Sequence, residues 1–261
     1  METLFSVKDL HVTYRRPGEK PVEAVRGVDF ELNACETLGI VGESGSGKST
    51  IAKALMLLQP ISGGEVLFCG KNLVALSAAD KKAYRRDVQM VFQDAVGSLN
   101  PRMTIRQALL EALSKASSTL LRTPQELLEL VGLSVAVLDQ YPRELSGGQC
   151  QRASFARALA VGPKVLVADE PVSALDVSVQ ARILNLLRDL RKNLNLSVIL
   201  IAHDLAVVRN VCDRVCVMHK GLFEDVGPAE AVFANPQSDY TKTLLAAVPD
   251  VARELARRQG S

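Results

Sequence analysis

The chain has 261 residues, of which 48% are hydrophobic, and a formal net charge of +2. This length suits one α/β domain with a smaller inserted subdomain, and the near-neutral charge excludes bulk electrostatic attraction to nucleic acid. No apolar run could cross a bilayer and no N-terminal segment resembles a signal peptide, so we expect any membrane role to come through partners. The five scattered cysteines are typical of reduced cytosolic thiols, and no second pair accompanies Cys212 and Cys216, which disfavours a metal site there.

The N-terminal part of the chain alternates apolar and polar side chains in short runs. Examples are LFSV at residues 4–7 and VDFEL at residues 28–32, separated by a proline and a glycine within residues 16–19. This pattern predicts an antiparallel sheet with one exposed face. Residues 63–70 carry a similar pattern and are predicted to form another of its strands.

Residues 42–49, GESGSGKS, match the phosphate-loop pattern of Gly, four residues, Gly, Lys, and then Ser or Thr. An apolar run at 37–41 predicts a buried strand before this loop, and residues 50–58 predict a helix after it. Glycines let backbone N–H groups converge on a polyphosphate at the helix N-terminus, which disfavours a purely structural turn. Lys48 supplies a charge for the outer phosphates and the Ser49 hydroxyl suits Mg²⁺. The predicted nucleotide site consists of Gly42, Glu43, Ser44, Gly45, Ser46, Gly47, Lys48, Ser49 and Thr50.

Further along the chain, four short apolar runs alternate with helical stretches. They lie at residues 88–92, 165–168, 198–202 and 215–218, and they predict buried, mostly parallel strands. Strand patterns are absent from residues 99–162. There, Thr123, Pro124 and Glu126 form a capping-box pattern at a helix start.

These patterns predict how the chain is divided. We expect a core formed by residues 1–93 and 163–235, an inserted helical subdomain at about 94–162, and a helical tail at about 236–261.

Residues 145–149, LSGGQ, predict a second anion-binding helix N-terminus; we call them the signature segment. Ser146 is a good N-cap for a helix from about Gly148 to Ala160. Two glycines in a first helical turn cost about 1 kcal/mol each in propensity, which makes sense if something must approach the backbone closely. One N-terminus suffices for a triphosphate within a chain, so the second is predicted to serve a nucleotide on another chain.

With these motifs in this order, nearly the whole chain resembles a nucleotide-binding subunit of an ATP-binding cassette (ABC) transporter. The resemblance implies an α/β fold: a phosphate-loop NTPase (RecA-like) core with a mostly parallel sheet, an N-terminal antiparallel β-subdomain and an inserted α-helical signature subdomain. It implies an ATPase that uses ATP and Mg²⁺ and hydrolyses ATP in a sandwich dimer. Ser146, Gly147, Gly148 and Gln149 would close the nucleotide site of a second, identical or homologous ATPase chain.

The resemblance also assigns roles to single residues. Tyr14 would stack on adenine, Gln93 would reach Mg²⁺ and the attacking water, and Asp169 would hold Mg²⁺ through water. Glu170 would be the catalytic base, and His203 would contact the γ-phosphate. The loop of residues 173–176, which ends at Asp176, would cross the dimer interface.

Each of these assignments has a structural alternative. Tyr14 could be an edge-strand aromatic, and Gln93 an exposed polar residue. His203 could be a structural histidine at a strand end, although His-Asp in this order favours function. Asp169 and Glu170 could form a salt bridge, although the end of a buried strand is where α/β proteins bind ligands.

Two segments resemble the oligopeptide/dipeptide/nickel importer subfamily, namely residues 90–101 and the tail at 235–249, which begins NPQSDYTKTLL. This resemblance implies two permease subunits, an extracytoplasmic solute-binding protein acting indirectly, and a peripheral location on the cytoplasmic face of a bacterial-type inner membrane. The loop from Gln93 to about Thr104 would receive a permease helix. Some relatives have a cysteine-rich tail that this chain lacks after Pro249, which argues against an iron–sulfur cluster; Cys150 is interpreted as tolerated variation.

Two other functional classes remain as alternatives. One is a soluble ABC ATPase of DNA repair or translation, disfavoured because the chain has one cassette and neither a basic stripe nor a zinc motif. The other is a regulatory ATP-binding module without turnover, disfavoured by Gln93, Glu170 and His203. The cargo stays open between peptides and nickel, with peptides ahead because of the tail.

Overall fold

The computed structural model describes residues 2–15, 17–116, 122–173 and 175–246. Arg16 of the predicted N-terminal turn, Ala174 of the predicted interface loop, and the predicted tail beyond residue 246 lie outside the described residues. The strands are β1 Thr3–Tyr14, β2 Val22–Asn33, β3 Thr37–Val41, β4 Gly63–Phe68, β5 Lys71–Asn72, β6 Val88–Val91, β7 Val165–Asp169, β8 Ser197–Ala202, β9 Arg214–His219 and β10 Leu222–Pro228.

The first four-stranded sheet is antiparallel, with the order β2-β1-β4-β5. Val7 of β1 lies opposite Phe30 of β2 on one side and opposite Val66 of β4 on the other. These three side chains are buried, while the polar residues between them point outward. The alternation in the sequence therefore predicted this sheet and its exposed face correctly.

The second sheet has the order β10-β9-β3-β8-β7-β6 and is parallel except for β10, which pairs antiparallel with β9. Alternate residues of β8 belong to different cores: Val198 and Leu200 to one, Ile199 and Ile201 to the other. Both faces of the sheet are thus covered, which explains why its parallel strands are continuous apolar runs in the sequence. The carboxyl ends of β3, β8, β7 and β6 consequently lie side by side at one edge.

The helices are α1 Lys48–Leu55, α2 Ala78–Asp87, α3 Ala95–Ser98, α4 Ile105–Leu113, α5 Pro124–Leu130, α6 Gly147–Leu159, α7 Val177–Leu194, α8 Leu205–Arg209, α9 Ala229–Ala234 and α10 Asp239–Ala246. Between β6 and β7 the described residues form helices and short 3-10 turns but no strand. The predicted capping box of α5 is present, since the Thr123 hydroxyl accepts from the Glu126 N–H at 3.2 Å. Within the described part of the chain, no helix combines the length and apolar character that spanning a bilayer requires.

The helix predicted over residues 50–58 is in fact α1, which starts at Lys48 and ends at Leu55. Its end is set by Leu57, which has a left-handed φ of 57°. The N–H of Leu58 then donates back to the Lys53 carbonyl at 2.8 Å. A left-handed residue just beyond the last turn is a common helix terminator, but it is usually glycine, and a leucine gives no such signal in the sequence.

Candidate active site

The phosphate loop, residues 42–49, connects β3 to α1 at the carboxyl edge of the parallel sheet. Gly47 is the N-cap of α1 and has a left-handed φ of 114°. A Cβ atom at this position would lie 2.4 Å from the backbone oxygen of Ala24. Glycine is therefore required at residue 47 both by conformation and by space. Because glycine has no side chain, the first-turn amides of α1 receive no side-chain acceptor from their cap.

The side chain of Lys48 is buried inside the loop. Its Nζ donates to the backbone oxygens of Gly42 and Glu43, each at 2.7 Å. Burial lowers the pKa of this ammonium group, and the nearby carboxylates of Glu170 and Asp169 oppose the shift. The lysine thus lies within the loop, bonded to its carbonyls and lining the cavity beside it.

Ser49 and Asp169 form a direct pair across the sheet edge. The Ser49 hydroxyl donates to Asp169 Oδ1 at 2.9 Å. Asp169 is the last residue of β7 and is buried, which raises the pKa of its carboxyl group, while the hydrogen bond from Ser49 acts in the opposite direction. A hydroxyl and a carboxylate are therefore brought together next to Lys48.

Gln93, Glu170 and His203 come together from three neighbouring strand ends. Gln93 Nε2 donates to Glu170 Oε2 at 2.9 Å and to Ser173 Oγ at 3.2 Å. His203 Nδ1 lies 3.8 Å from the same Glu170 oxygen. Glu170 has a left-handed φ of 45°, and its N–H donates to the Ile201 carbonyl at 2.9 Å. A glutamate held in this conformation is typical of functional positions.

A cavity of about 240 Å³ joins the loop to this cluster. It is lined by Ala24, Ser44, Gly45, Gly47, Lys48, Ser49, Thr50, Gln93 and Glu170. Tyr14, at the end of β1, places its hydroxyl 3.3 Å from Thr50 Oγ1. The structure therefore gathers the predicted loop residues, Tyr14, Gln93, Asp169, Glu170 and His203 around one region.

The signature segment belongs to a different part of the site. None of Ser146, Gly147, Gly148 and Gln149 is among the described residues that line the loop cavity. Ser146 caps α6 through a capping box: its hydroxyl accepts from the Gln149 N–H at 3.3 Å, and Gln149 Oε1 accepts from the Ser146 N–H at 2.9 Å. Asp176 is exposed at the N-cap of α7 and makes no side-chain cap bond.

Part of the requirement for glycine in the signature segment comes from packing within the same chain. A Cβ atom on Gly148 would lie 2.9 Å from Val179 Cγ1 of α7, and one on Gly147 would lie 3.6 Å from Leu175 Cδ2. The close approach expected from the sequence thus includes a neighbouring helix of the same chain. No sequence signal pointed to Val179.

Sequence reasoning missed two supports of the phosphate loop. The Gly221 N–H, in the turn between β9 and β10, donates to the Ser46 carbonyl at 2.8 Å. The Tyr240 hydroxyl, in α10, accepts from the Glu43 N–H at 3.2 Å. The sequence predicts a helical tail and a subfamily resemblance there but no contact with the loop, and no pattern predicts β10 or its turn.

The cysteines lie outside this site. Cys212 and Cys216 are buried in different cores, on opposite faces of the parallel sheet. Burial raises the pKa of Cys216 to about 12. Cys150 is also buried, and its thiol donates to the Pro142 carbonyl at 3.3 Å, which is consistent with packing.

The fold and this arrangement at the sheet edge define a nucleotide-binding cassette. A model of the family described as ABC transporter matches residues 25–173, more than half of the chain. The chain therefore belongs to the ABC transporter family, as its motifs predicted, and its class is that of an ATP-binding, ATP-hydrolysing cassette.

Similar proteins show which branch of the ABC transporter family the chain resembles. The chain is 44% identical to the oligopeptide transport ATP-binding protein OppF of Haemophilus influenzae, over 99% of this chain and 82% of that protein. It is 46% identical to OppF of Escherichia coli (94% and 75% covered) and 44% identical to the dipeptide transport ATP-binding protein DppF of Lactococcus lactis (93% and 80%). These relatives confirm the predicted subfamily.

Solved structures support the fold. The cassette MJ0796, in a dimeric post-hydrolysis state bound to ADP and Pi, superposes with a TM-score of 0.77 at 29% identity, covering 87% of this chain and 99% of that one. CbiO1 of Clostridium perfringens, part of an ABC transporter complex, gives a TM-score of 0.77 at 25% identity (98% and 100% covered). The predicted fold class is confirmed.

Proposed function

We propose that this chain is the ATPase subunit that powers a bacterial-type peptide importer, with Glu170 as the base for ATP hydrolysis. The observation that carries the proposal is the Gln93–Glu170–His203 cluster beside the phosphate loop. A carboxylate held by an amide at 2.9 Å, next to a loop that suits a triphosphate, is the arrangement that hydrolysis by an oriented water requires.

The residues present fit Mg²⁺. The Ser49 hydroxyl, the Asp169 carboxylate and the Gln93 side-chain oxygen are oxygen ligands of the kind that Mg²⁺ prefers, and the first two are 2.9 Å apart. Asp169 is buried as a carboxylate near Lys48, where a cation would compensate its charge. When bound, the ion would neutralise charge that develops on the transferred phosphoryl group.

The side chains of this chain then have separate roles in ATP binding and hydrolysis. Lys48 exchanges its bonds with the Gly42 and Glu43 carbonyls for the outer phosphates, and the loop amides bind the remaining phosphate oxygens. His203, which is exposed beside Glu170, donates to the γ-phosphate. The Glu170 carboxylate orients the attacking water and accepts its proton, while Gln93 keeps Glu170 in place. Tyr14 supplies the stacking surface for the adenine base.

A second ATPase chain completes the site. Ser146, Gly147, Gly148 and Gln149 would present the N-terminus of α6 to the γ-phosphate bound by the partner, with Asp176 at the interface. The absence of these four residues from the lining of the loop cavity, and the dimeric state of the similar cassette MJ0796, support this arrangement. ATP then joins two cassettes, and hydrolysis separates them.

We assign the permease contact to a groove beside the predicted loop. Residues 94–162 would act as the inserted subdomain, and a cavity of about 700 Å³ is lined by residues of its helices α4 and α6 and of α2 and β6. Two apolar side chains that line it are unusually exposed, Leu58 at 60% and Phe92 at 38%. One of the two permease subunits would dock here on the cytoplasmic face of the membrane, with a solute-binding protein outside.

Peptides are the proposed cargo because the relatives named above are oligopeptide and dipeptide transport subunits. Nickel stays a prediction from the sequence alone. The soluble alternative can be tested by affinity purification from solubilised membranes. Recovery with two multi-spanning proteins supports transport, whereas recovery with ribosomes or DNA contradicts it.

The decisive test of the mechanism is Glu170→Gln in the assembled complex. This change keeps the shape of the side chain but removes the base, so we expect ATP binding to persist and hydrolysis to slow by about 10²–10⁴. Phosphate release under single-turnover conditions measures it. Glu129→Gln, on the exposed surface of α5, is the matched control and should hydrolyse normally. Near-normal hydrolysis by Glu170→Gln would show that another group is the base.

A further inference from the structure

The tail of the chain reaches the phosphate loop through one tyrosine. Tyr240 lies in the first turn of α10, and its hydroxyl accepts a hydrogen bond from the Glu43 N–H at 3.2 Å. Glu43 is the second residue of the loop, and its carbonyl accepts from Lys48 Nζ at 2.7 Å. Both polar groups of the Glu43 backbone are thus held, one by the tail and one by the lysine.

The ring of Tyr240 is fixed by stacking. It lies on the imidazole of His219, with ring centroids 4.0 Å apart and planes inclined by 7°. His219 ends β9, and its Nδ1 is 3.6 Å from Glu224 Oε1. Burial raises the pKa of Tyr240, so its hydroxyl is a neutral phenol at physiological pH. The acceptor for the Glu43 amide therefore has a defined position and charge.

The tail segment that carries Tyr240 is anchored to β10 by Asp225. This carboxylate is 8% exposed and accepts the N–H groups of Gln237 and Ser238 at 3.1 and 3.0 Å. The Ser238 hydroxyl donates to Glu224 at 3.0 Å and accepts from the Tyr240 N–H at 3.2 Å. A buried carboxylate with two backbone donors makes a stiff connection.

The same hairpin also supports the other half of the loop. The Gly221 N–H donates to the Ser46 carbonyl at 2.8 Å. The loop is therefore attached to one rigid unit at two places, directly at Ser46 and through Tyr240 at Glu43.

We infer that Tyr240 is a positioning residue for ATP: it fixes the Glu43 peptide, and through the Glu43 carbonyl it sets the resting position of Lys48. This inference rests on the proposed ATP site. A loop that is already ordered loses less conformational freedom when the nucleotide binds, so affinity rises without a new contact to ATP. The chemistry of hydrolysis, at Glu170, should not depend on it.

The test is Tyr240→Phe in the full chain, which keeps the ring on His219 and removes only the oxygen. Equilibrium binding of MgATP should weaken about fivefold, the size expected for one lost hydrogen bond. In the assembled complex KM for ATP should rise by a similar factor, while kcat stays within about twofold. Because water can reach the Glu43 N–H, the melting temperature should not move. Tyr141→Phe, a half-buried tyrosine before the signature segment, is the control and should bind ATP normally.

A spectroscopic measurement separates positioning from general damage. The ¹⁵N–¹H resonance of Glu43 in the nucleotide-free chain should move in Tyr240→Phe and stay in place in Tyr141→Phe. His219→Ala keeps the hydroxyl but removes the stack, and should weaken MgATP binding by a smaller factor than Tyr240→Phe.

The outcomes distinguish this inference from the function on which it rests. If the unaltered chain fails to bind MgATP, the proposed ATP site is wrong. If the unaltered chain binds MgATP and Tyr240→Phe binds it equally well, the inference is overturned. It is also overturned if kcat falls while KM is unchanged, because Tyr240 would then act on hydrolysis.

Discussion

The two helix N-termini at Gly47 and Ser146 differ in which groups accept hydrogen bonds from their backbone N–H groups. Gly47 provides no side-chain cap for α1, and it packs directly against the backbone of Ala24. Ser146 closes α6 with a reciprocal capping box to Gln149. The conformation of the first N-terminus is fixed by contacts with other parts of the chain, whereas the second is stabilised by its own capping box.

This difference fits what each N-terminus is proposed to do. A loop that must wrap a triphosphate needs most of its amides free. Its conformation therefore has to be imposed by neighbours such as Gly221, which donates to a loop carbonyl, and Tyr240, which engages only the Glu43 amide. A helix end that waits for a nucleotide on another chain must be stable alone, so it caps itself. A substitution at residue 47 should therefore change both stability and nucleotide binding. A substitution at residue 146 should change stability without changing nucleotide binding to the same chain.

Gly47→Ala should have the largest effect on stability. Its Cβ would meet a backbone oxygen at 2.4 Å in a left-handed conformation, and we expect the free energy of unfolding to fall by about 3 kcal/mol, with ATP binding lost. Gly45→Ala is the control: it has a φ of 80° but open space around the added atom, so it should lose only about 1 kcal/mol. Urea denaturation measures both. Equal losses would mean that the contact with Ala24 is unimportant.

Ser146→Ala should separate stability from hydrolysis. Removing an N-cap lowers the free energy of unfolding by about 1 kcal/mol, and Thr123→Ala, which removes the equivalent capping box of α5, should do the same. In the complex, only Ser146→Ala should slow hydrolysis, by roughly tenfold or more through loss of a bond to the γ-phosphate. MgATP binding to the single chain should be unchanged in both. If Thr123→Ala slows hydrolysis equally, loss of helix stability explains the result.

Gly148→Ala should change stability least. Alanine gains about 1 kcal/mol of helix propensity, but its Cβ would lie 2.9 Å from Val179 Cγ1, which offsets the gain. Combining Gly148→Ala with Val179→Ala relieves that contact, so Gly148→Ala should then stabilise the chain by about 1 kcal/mol. Denaturation of the unaltered chain, the two single variants and the double variant in a double-mutant cycle measures the coupling. Additive effects would show that Val179 is not what requires glycine there.

Local patterns predicted most of the fold. The parallel strands are continuous apolar runs because both faces of their sheet are covered, and the antiparallel strands alternate because one face is exposed. The phosphate loop and the caps at Thr123 and Ser146 follow from spacing over a few residues. Such features are predictable because the interactions that fix them lie close together in the chain.

Features fixed by distant contacts could not be predicted. Strand β10 carries a buried Asp225 and ends in Gly227 and Pro228, so it lacks an apolar signal, and it forms by pairing with β9. The left-handed φ of Glu170 is imposed by its bond to the Ile201 carbonyl. The hydrogen bond from the Glu43 N–H to the Tyr240 hydroxyl joins residues that are far apart in the sequence, and no spacing pattern predicts it.

The bond from Gly221 to Ser46 has a consequence for how the protein is made. The phosphate loop leaves the ribosome well before the hairpin of residues 214–228 that supports it. Until then the loop lacks its attachments to Gly221 and Tyr240, and β3 lacks β9 on one side. The nascent chain should therefore become competent to hold ATP only after this hairpin has been synthesised.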